Sequence, residues 1–312
     1  MPIDDQKVKV AVLMGGVGAE RDISLQSGEN MAVAIREAGF ETVEHDITRD
    51  DMRILDDGTI DVFFLALHGE FGEDGQLQEI LEKKNLCYTG CDSRASRLAF
   101  DKIASKEIFE QAGVTVPRHI CLNAQTSAEG LVGRLGKIGE KFVVKPIRQG
   151  SSVGVVIVAG CEEAAAAAVK IFGEFGDCMV EQFIEGREVT VGILSGQALP
   201  IIEIKSKRKF YDYHAKYIDD ATEFLFDTVT DEKTVIEINR SAITCFDSLG
   251  CRHFGRVDMI LSDSGEPYVL EINTLPGLTI HSLLPKAAAR AGLSNSQLCT
   301  AIIEAALETF KR

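Results

Sequence analysis

The sequence predicts a parallel α/β fold in its first hundred residues and an α+β arrangement after them. Up to about residue 100, short apolar runs alternate with amphipathic segments, which is typical of parallel strands joined by helices. From about residue 186, apolar runs follow one another across short turns, as in 188–194 and 198–205, which indicates antiparallel hairpins. A chain of 312 residues has room for two or three such units.

In the first unit, the apolar pattern predicts strands at 8–14, 41–46 and 62–67, and helices at 22–38 and 76–84. Ligands of a parallel sheet gather beyond the carboxyl ends of its strands. Glu20 and His68 both follow such ends, and the glycines before Glu20 would let backbone approach a ligand. Glu20 could bind a substrate ammonium group; a tight turn carrying a surface glutamate is the alternative.

The rest of the chain is predicted as a series of helices and strands. Helices are expected at 101–112, 162–172, 231–249 and 295–311, and strands at 142–146, 155–158 and 179–184 besides the hairpin already mentioned. Residues 206–231 are predicted as loop. A second hairpin, at 254–273, is the most informative segment of the sequence.

In this hairpin, a two-residue turn at Ser264 and Gly265 would place Asp258 opposite Glu271 and Arg256 opposite Asn273. All four side chains would then share one face, because side chains alternate along a strand. Directly opposed carboxylates repel each other, and a hard cation such as Mg2+ would remove that repulsion. A solvated polar face is the alternative.

Composition excludes several classes. A net charge of −15 argues against a general nucleic-acid binder but not against an anionic small ligand. No apolar run approaches the ~20 residues that span a bilayer, and the start lacks a signal-peptide core. The eight cysteines contain no CxxC pair, and we expect them to be buried free thiols of a cytoplasmic protein.

Two segments suggest phosphate binding. Lys145 lies in an apolar strand, where a lysine needs a partner; a phosphate or a carboxylate would serve. The loop 150–154 joins two strands, so it would cover a phosphate with amide and hydroxyl groups, unless it is a ligand-free hairpin. Gly16-Val-Gly18 is weak evidence for a dinucleotide, because Arg21 stands where a third glycine is needed.

Residues 205–217 combine five basic residues with three tyrosines and a phenylalanine. A lid that brings Lys216 and Tyr217 over a phosphate fits this composition, with binding of single-stranded nucleic acid as the alternative.

After the second hairpin, Gly277 could offer a backbone N–H to an oxyanion, and Ser282 at a helix start could bind a carboxylate. The plainer interpretation is that Pro276-Gly277 is a turn and that Ser282 is a helix cap.

With these motifs in view, the chain resembles the D-alanine–D-alanine ligases of the ATP-grasp superfamily over nearly its whole length. The resemblance rests on GGVGAER at 15–21, LHG at 67–69, GEDG at 72–75, YTG at 88–90, DK at 101–102, VKP at 144–146, GSSVG at 150–154, FYDY at 210–213, AKY at 215–217, GRVD at 255–258 and EINTLPG at 271–277. It departs from the family at His214, Gln182 and residues 226–228.

The resemblance implies a pre-ATP-grasp domain at 1–100, a central lobe at 101–187 and a C-terminal lobe at 188–312, with ATP between the two lobes. The implied ATP-binding residues are Lys102, Lys145, Ser152, Glu181, Gln182, Ile184 and Glu188. Two Mg2+ ions, with Mn2+ able to substitute, would be held by Asp258, Glu271 and Asn273.

It further implies ligation of two D-alanines through an acyl phosphate, for peptidoglycan precursors, by a cytoplasmic homodimer with no nucleic-acid or membrane partner. The implied catalytic residues are Glu20, Ser151, Tyr217, Arg256 and Gly277, and the implied substrate-binding residues are His68, Lys216 and Ser282. Ser151 is implied to join Glu20 and Tyr217 in a hydrogen-bonded link that closes the site. Two other classes stay open: a nucleotide-binding regulator that kept the fold, and a dinucleotide-dependent oxidoreductase.

Overall fold

The computed structural model describes residues 7–18, 20–124, 130–205 and 222–311. Its first sheet is parallel, with strand order β2-β1-β3, as the alternating pattern predicts. The elements are β1 (Lys9–Gly15), α1 (Arg21–Glu37), β2 (Glu41–Ile47), β3 (Val62–Leu65) and α2 (Gln76–Lys83). Glu20 directly precedes α1, and His68 follows β3, so both lie beyond the carboxyl ends of the strands.

Two consecutive helices, α3 (Ser93–Phe100) and α4 (Lys102–Gln111), lead out of this unit. Asp101 ends the first and caps the second, since its carboxylate accepts the backbone N–H groups of Ile103 and Ala104 at 3.1 Å. Of the two, only α4 is predicted from the sequence; α3 has two serines and two arginines among its eight residues. The cap fixes the position of Lys102 in the first turn of α4.

The second sheet is antiparallel, with strand order β4-β7-β5-β6. Its elements are β4 (His119–Leu122), α5 (Leu131–Leu135), β5 (Lys141–Pro146), β6 (Val156–Ala159), α6 (Cys161–Phe175) and β7 (Cys178–Gln182). Phe142, Val144 and Val180 are buried on one face against Ala164 and Ala168 of α6. Because side chains alternate along a strand, the other face presents Val143, Lys145 and Glu181 to a cleft.

The third sheet has strand order β11-β10-β8-β12-β13, with β9 paired to β8. Its strands are β8 (Gly186–Leu194), β9 (Gln197–Ala198), β10 (Ile202–Lys205), β11 (Glu223–Phe226), β12 (Phe254–Ser262) and β13 (Pro267–Asn273). Helix α7 (Glu232–Ser248) covers one face and also contacts α4. The loop predicted up to residue 231 is wrong at 223–226, where β11 pairs with β10.

The last helices return to the first sheet. Helix α8 (Leu283–Arg290) packs against β8, and α9 (Asn295–Phe310) contacts α1 and β3. Apolar side chains of both helices belong to the same buried cluster as β1 and β3. The two C-terminal helices therefore complete the hydrophobic core around the first sheet. No helix in the described part of the chain is long and apolar enough to cross a membrane.

All eight cysteines are free thiols, as predicted, and five of them are buried: Cys87, Cys91, Cys178, Cys245 and Cys299.

The β12–β13 hairpin differs from its prediction at the turn. The loop has three residues, with Ser262 N–H donating to Glu266 O at 3.0 Å and Gly265 in the left-handed region at φ 84°. The predicted two-residue turn is therefore wrong. A bulge beside Asp258 shifts the pairing by one residue, so that Asp258 still faces Glu271 and Arg256 still faces Asn273, as predicted.

A buried histidine ties the first unit to the third sheet. His253, only 5% exposed, precedes β12 in the left-handed region at φ 65°. Its Nδ1 accepts the backbone N–H of Gly90 at 3.1 Å, and its Nε2 lies 3.0 Å from Thr309 Oγ1. Burial, reinforced by the charge of Arg252, lowers the pKa of His253 to about 3.

This histidine makes stability fall in acid. The unfolded imidazole takes up a proton near pH 6.5 and the buried one only near pH 3, so unfolding binds a proton between these values. The contribution is complete above pH 6.5 and is lost, by roughly 3–5 kcal/mol, as pH falls towards 3. His253→Asn, whose side chain tolerates positive φ, is expected to flatten this slope in urea unfolding at pH 4–8. His119→Asn is the control, and an unchanged slope in His253→Asn would contradict the assignment.

Candidate active site

Two clefts meet at the β12–β13 hairpin. The larger lies between the second and third sheets, and Asp258 and Glu271 lie on its wall. It is lined by all the residues that the family resemblance implies for ATP: Lys102, Lys145, Ser152, Glu181, Gln182, Ile184 and Glu188. The smaller cleft, beside the first sheet, is lined by Glu20, His68, Ser151, Arg256, Asn273, Gly277 and Ser282. Glu271 lines both clefts and marks where they join.

Tyr217, Lys216 and His214, with the rest of the predicted lid at 206–217, lie outside the described residues. Of the other departures from the family, Gln182 accepts a hydrogen bond from Arg118 Nε at 2.9 Å, and Asp227 is paired with Arg290.

Asp258 is the most heavily bonded side chain of the hairpin. It is 6% exposed and accepts Nε and Nη2 of Arg256, both at 2.8 Å, as well as Thr190 Oγ1 at 2.6 Å. Asn273 Nδ2 donates to it at 3.0 Å. The opposed Glu271 has Lys102 Nζ at 3.3 Å. The repulsion between the two carboxylates is thus offset by one cation on each.

The same face can hold a divalent cation. Asp258 and Glu271 are opposed in the ladder, and Asn273 adds an amide beside them, which is the oxygen-donor chemistry that Mg2+ prefers. Within the described ranges no three His, Cys, Asp or Glu side chains cluster as metal ligands, so the amide is needed to complete the set.

Lys145 has the carboxylate partner that the sequence left open. Its Nζ lies 2.6 Å from Glu181 Oε2, and Lys106 Nζ lies 2.8 Å from Glu181 Oε1. Burial by itself would raise the pKa of Glu181, but the two ammonium groups outweigh it and hold that pKa at about 2. The carboxylate is therefore ionised at neutral pH.

Lys106, which is fully buried, was not predicted from the sequence. Burial lowers its pKa, and the adjacent Glu181 opposes that shift. A signal was present: Lys106 follows Lys102 by four residues on the same helix, so both lie on the face of α4 that also buries Ser105 and Phe109. An apolar stripe interrupted by two lysines indicates paired charges.

Glu20 is joined across the smaller cleft to the loop 150–154. Ser151 Oγ donates a hydrogen bond to Glu20 Oε1, and Ser151 has a left-handed backbone at φ 48°. Gly69 leaves room for this contact, because a Cβ there would come within 2.2 Å of Glu20 Oε2. The first two members of the predicted Glu20–Ser151–Tyr217 link are therefore in contact.

His68 holds the segment that carries Gly277. Its Nδ1 lies 3.1 Å from the carbonyl oxygen of Leu275, and its Nε2 lies 2.9 Å from Ser27 Oγ. The carbonyl can only accept, so Nδ1 carries a proton and donates it to Leu275 O. Ser27 Oγ also accepts the backbone N–H of Leu278 at 3.4 Å. His68 and Ser27 thus bind both sides of Gly277.

The contact between α1 and this segment is reinforced by Asn30, whose Nδ2 donates to Leu278 O at 2.6 Å. Ser27 and Asn30 were not predicted, because nothing in the sequence of an amphipathic helix indicates a partner about 250 residues away.

Ser282 begins α8 but does not cap it with its side chain. Its Oγ instead accepts the backbone N–H of Thr279 at 3.0 Å. A Cβ on Gly277 would approach this Oγ to 2.7 Å, so the glycine permits the close turn. Both plainer interpretations are wrong: residues 276–277 form no turn, since the turn lies at 279–282, where Ser282 N–H donates to Thr279 O at 3.0 Å, and the Ser282 side chain does not cap the helix. Gly277, Ser282 and Arg256 all line the smaller cleft.

Two lobes that close on a lysine-lined cleft, with a carboxylate hairpin on its wall, define the ATP-grasp class of ligases. Family models described as D-ala D-ala ligase C-terminus and N-terminus match residues 108–304 and 52–91. The chain therefore belongs to the D-alanine–D-alanine ligase family.

Individual relatives agree over the whole length. The chain is 41% identical to the D-alanine–D-alanine ligase of Syntrophotalea carbinolica, over 96% of this chain and 97% of that protein. The crystal structure of the Bacillus anthracis D-alanine–D-alanine ligase complexed with ATP has a TM-score of 0.85 and 33% identity, covering 97% and 99% of the two chains. The VanG D-Ala:D-Ser ligase of Enterococcus faecalis has a TM-score of 0.84 and 28% identity, covering 96% and 100%.

Proposed function

We propose that this protein joins two D-alanines into D-alanyl-D-alanine with cleavage of ATP to ADP and phosphate, for peptidoglycan precursor synthesis. The observation that carries the proposal is the junction of the two clefts at Glu271. A nucleotide in the larger cleft and an amino acid beside Glu20 would bring a γ-phosphate and a carboxylate together there. The ATP-bound relative and the family membership support the same assignment.

In the first step, a carboxylate oxygen of the first D-alanine attacks the γ-phosphorus of ATP and ADP leaves, which forms an acyl phosphate. Lys102 and Lys145, both on the wall of the larger cleft, would neutralise phosphate charge. Asp258, Glu271 and Asn273 would hold two Mg2+ ions, with Mn2+ able to substitute, and bound cations supply further neutralisation of the phosphates.

In the second step, the amine of the second D-alanine attacks the acyl carbon, and phosphate leaves as the tetrahedral intermediate collapses. Arg256 and the Gly277 N–H would stabilise its oxyanion. Glu20 would bind the first substrate's ammonium, and Ser282 with Lys216 the second substrate's carboxylate. The Glu20–Ser151–Tyr217 link would hold the site closed against water, which would hydrolyse the acyl phosphate.

The proposal includes the organisation of the molecule. The domains would be 1–100, 101–187 and 188–312, and the protein would act in the cytoplasm as a homodimer, with small molecules and neither nucleic acid nor membrane as partners. His68 would lie close to the first substrate as a binding residue while its Nδ1 contacts the Leu275 carbonyl oxygen.

The function is tested by measuring phosphate release from ATP with saturating Mg2+, with and without D-alanine. We expect release only with D-alanine, together with the dipeptide as product. Adding D-serine or D-lactate as competitors would measure how strictly the second substrate site selects D-alanine. The D-Ala:D-Ser relative motivates this comparison. ATP binding without product would favour the regulator, and a change of NADH fluorescence on binding would favour the oxidoreductase.

The contacts around Gly277 predict an effect of Ser27→Ala. The change removes the hydroxyl between His68 Nε2 and Leu278 N–H, so the Gly277 amide would be less precisely placed. We expect kcat to fall about 10-fold with little change in the KM for ATP, which binds in the other cleft. Ser248→Ala, which removes a half-buried hydroxyl bonded to Cys245 O at 3.2 Å, is the control. An unchanged kcat in Ser27→Ala would contradict this role.

A further inference from the structure

One carboxylate in the larger cleft is shared by two lysines of different exposure. Glu181, 1% exposed, has Lys145 on one oxygen and Lys106 on the other, at 2.6 and 2.8 Å. Lys145 lines the cleft, whereas Lys106 is fully buried behind it. The arrangement therefore contains one cation that a ligand can reach and one that it cannot.

Lys106 is fixed from a second direction. Its Nζ donates to the carbonyl oxygen of Val269 at 3.2 Å, in strand β13 two residues before Glu271. It thus connects α4, β7 and β13, each of which contributes a residue to the wall of the larger cleft: Lys102, Glu181 and Glu271. Lys106 is therefore held by a hydrogen bond to Val269 and by an ion pair with Glu181, and it lines neither of the two clefts.

Lys145 has two competing partners if this cleft binds ATP. To contact a phosphate, its ammonium must leave or share Glu181 Oε2, which is 2.6 Å away. Had Glu181 no other cation, that movement would leave a buried carboxylate unpaired, which is strongly unfavourable. The free energy of binding nucleotide phosphates would then be reduced by the cost of leaving the buried Glu181 carboxylate without a cation.

We propose that Lys106 is a positioning residue that retains the charge of Glu181 while Lys145 turns to the nucleotide phosphates. The inference rests on the proposed use of ATP. Lys106 touches neither phosphate nor amino acid, and it acts only by keeping Glu181 paired. The effect is specific to ligands that carry phosphates, because a ligand without them leaves Lys145 on Glu181.

This specificity supplies the test, which is a comparison of a non-hydrolysable ATP analogue with adenosine by calorimetry. In Lys106→Met we expect the analogue to bind about 10- to 100-fold more weakly and adenosine to change by less than about twofold. Lys83→Met, which removes an exposed lysine paired with Glu79, is the control and should change neither. Equal losses for both ligands, or no loss for the analogue, would overturn the proposal.

A second comparison does not depend on the folding of Lys106→Met. In the Glu181→Gln background the carboxylate charge is gone, so adding Lys106→Met should leave the ratio of analogue to adenosine affinity within about twofold. A further fall of that ratio would show that Lys106 acts on phosphate by another route and would overturn the inference.

Failure of the proposed function is distinguishable from failure of this inference. Binding of the analogue requires no turnover, so the affinity ratios can be measured even if D-alanine elicits no phosphate release. If the wild-type protein bound the analogue no more tightly than adenosine, Lys145 would not be serving phosphates, and the inference would be overturned whatever the reaction.

Discussion

Asp258→Asn is expected to lower kcat on the order of 10³-fold while the protein stays folded. The carboxylate faces Glu271 across the ladder, where it would be an oxygen ligand of the proposed Mg2+, and it holds both donors of Arg256 at 2.8 Å. An amide keeps the shape but carries no charge for a cation and offers only one acceptor to the guanidinium. Turnover is measured by phosphate release, and folding by circular dichroism and thermal unfolding.

Asp263→Asn is the matched control for this change. It removes a carboxylate of the same hairpin, but from the exposed three-residue loop at the opposite end. We expect its kcat to equal that of the wild type. Substantial activity in Asp258→Asn, with a normal thermal transition, would overturn the metal assignment.

Arg256→Lys is expected to lower kcat by about 10²- to 10³-fold with little effect on the KM for ATP. Arg256 donates through Nε and Nη2 to the two oxygens of Asp258, and this fork fixes the guanidinium on the wall of the smaller cleft. A lysine keeps the positive charge but cannot make the planar two-bond contact. The oxyanion would then meet a misplaced cation, which costs transition-state stabilisation rather than nucleotide binding.

Arg240→Lys tests the same chemistry away from the clefts. Arg240 makes an equivalent two-bond contact with Glu237 on the exposed face of α7. Loss of this surface pair is expected to leave both kcat and the KM for ATP unchanged. If Arg256→Lys retained wild-type kcat, the developing charge would have to be stabilised elsewhere in the site.

Much of the site could be predicted because its residues lie next to one another in the chain. The hairpin is an example: Arg256, Asp258, Glu271 and Asn273 are separated only by strand alternation and a short turn, so their common face follows from the period of two. The seven residues that the family resemblance implies for ATP all line one cleft. Helices whose ends carry strong signals, such as α7 with Asp231 as its cap, were also placed within a residue or two.

The hairpin also shows where this reasoning fails. The predicted turn was wrong by one residue, and the correct pairing at Asp258 depends on a bulge beside it. A bulge leaves no clear mark in a run of Tyr, Val and Leu, since each of these residues is a good strand former in either register. Strand β11 was missed for a related reason: an edge strand of four residues is defined by its pairing with β10.

The sequence by itself determined the chemical groups from which the proposed function is built: the opposed carboxylates, the loop 150–154, Lys102 and Lys145, and most of the strands and helices around them. These depend on neighbours in the chain and on local conformational preference. Only the tertiary structure decided the partners. It placed Lys106 on Glu181, 75 residues away, and Ser27 on Leu278, 251 residues away. Burial makes such pairs obligatory, because a charge or donor removed from water must find a partner, but which partner depends on how the sheets and helices pack.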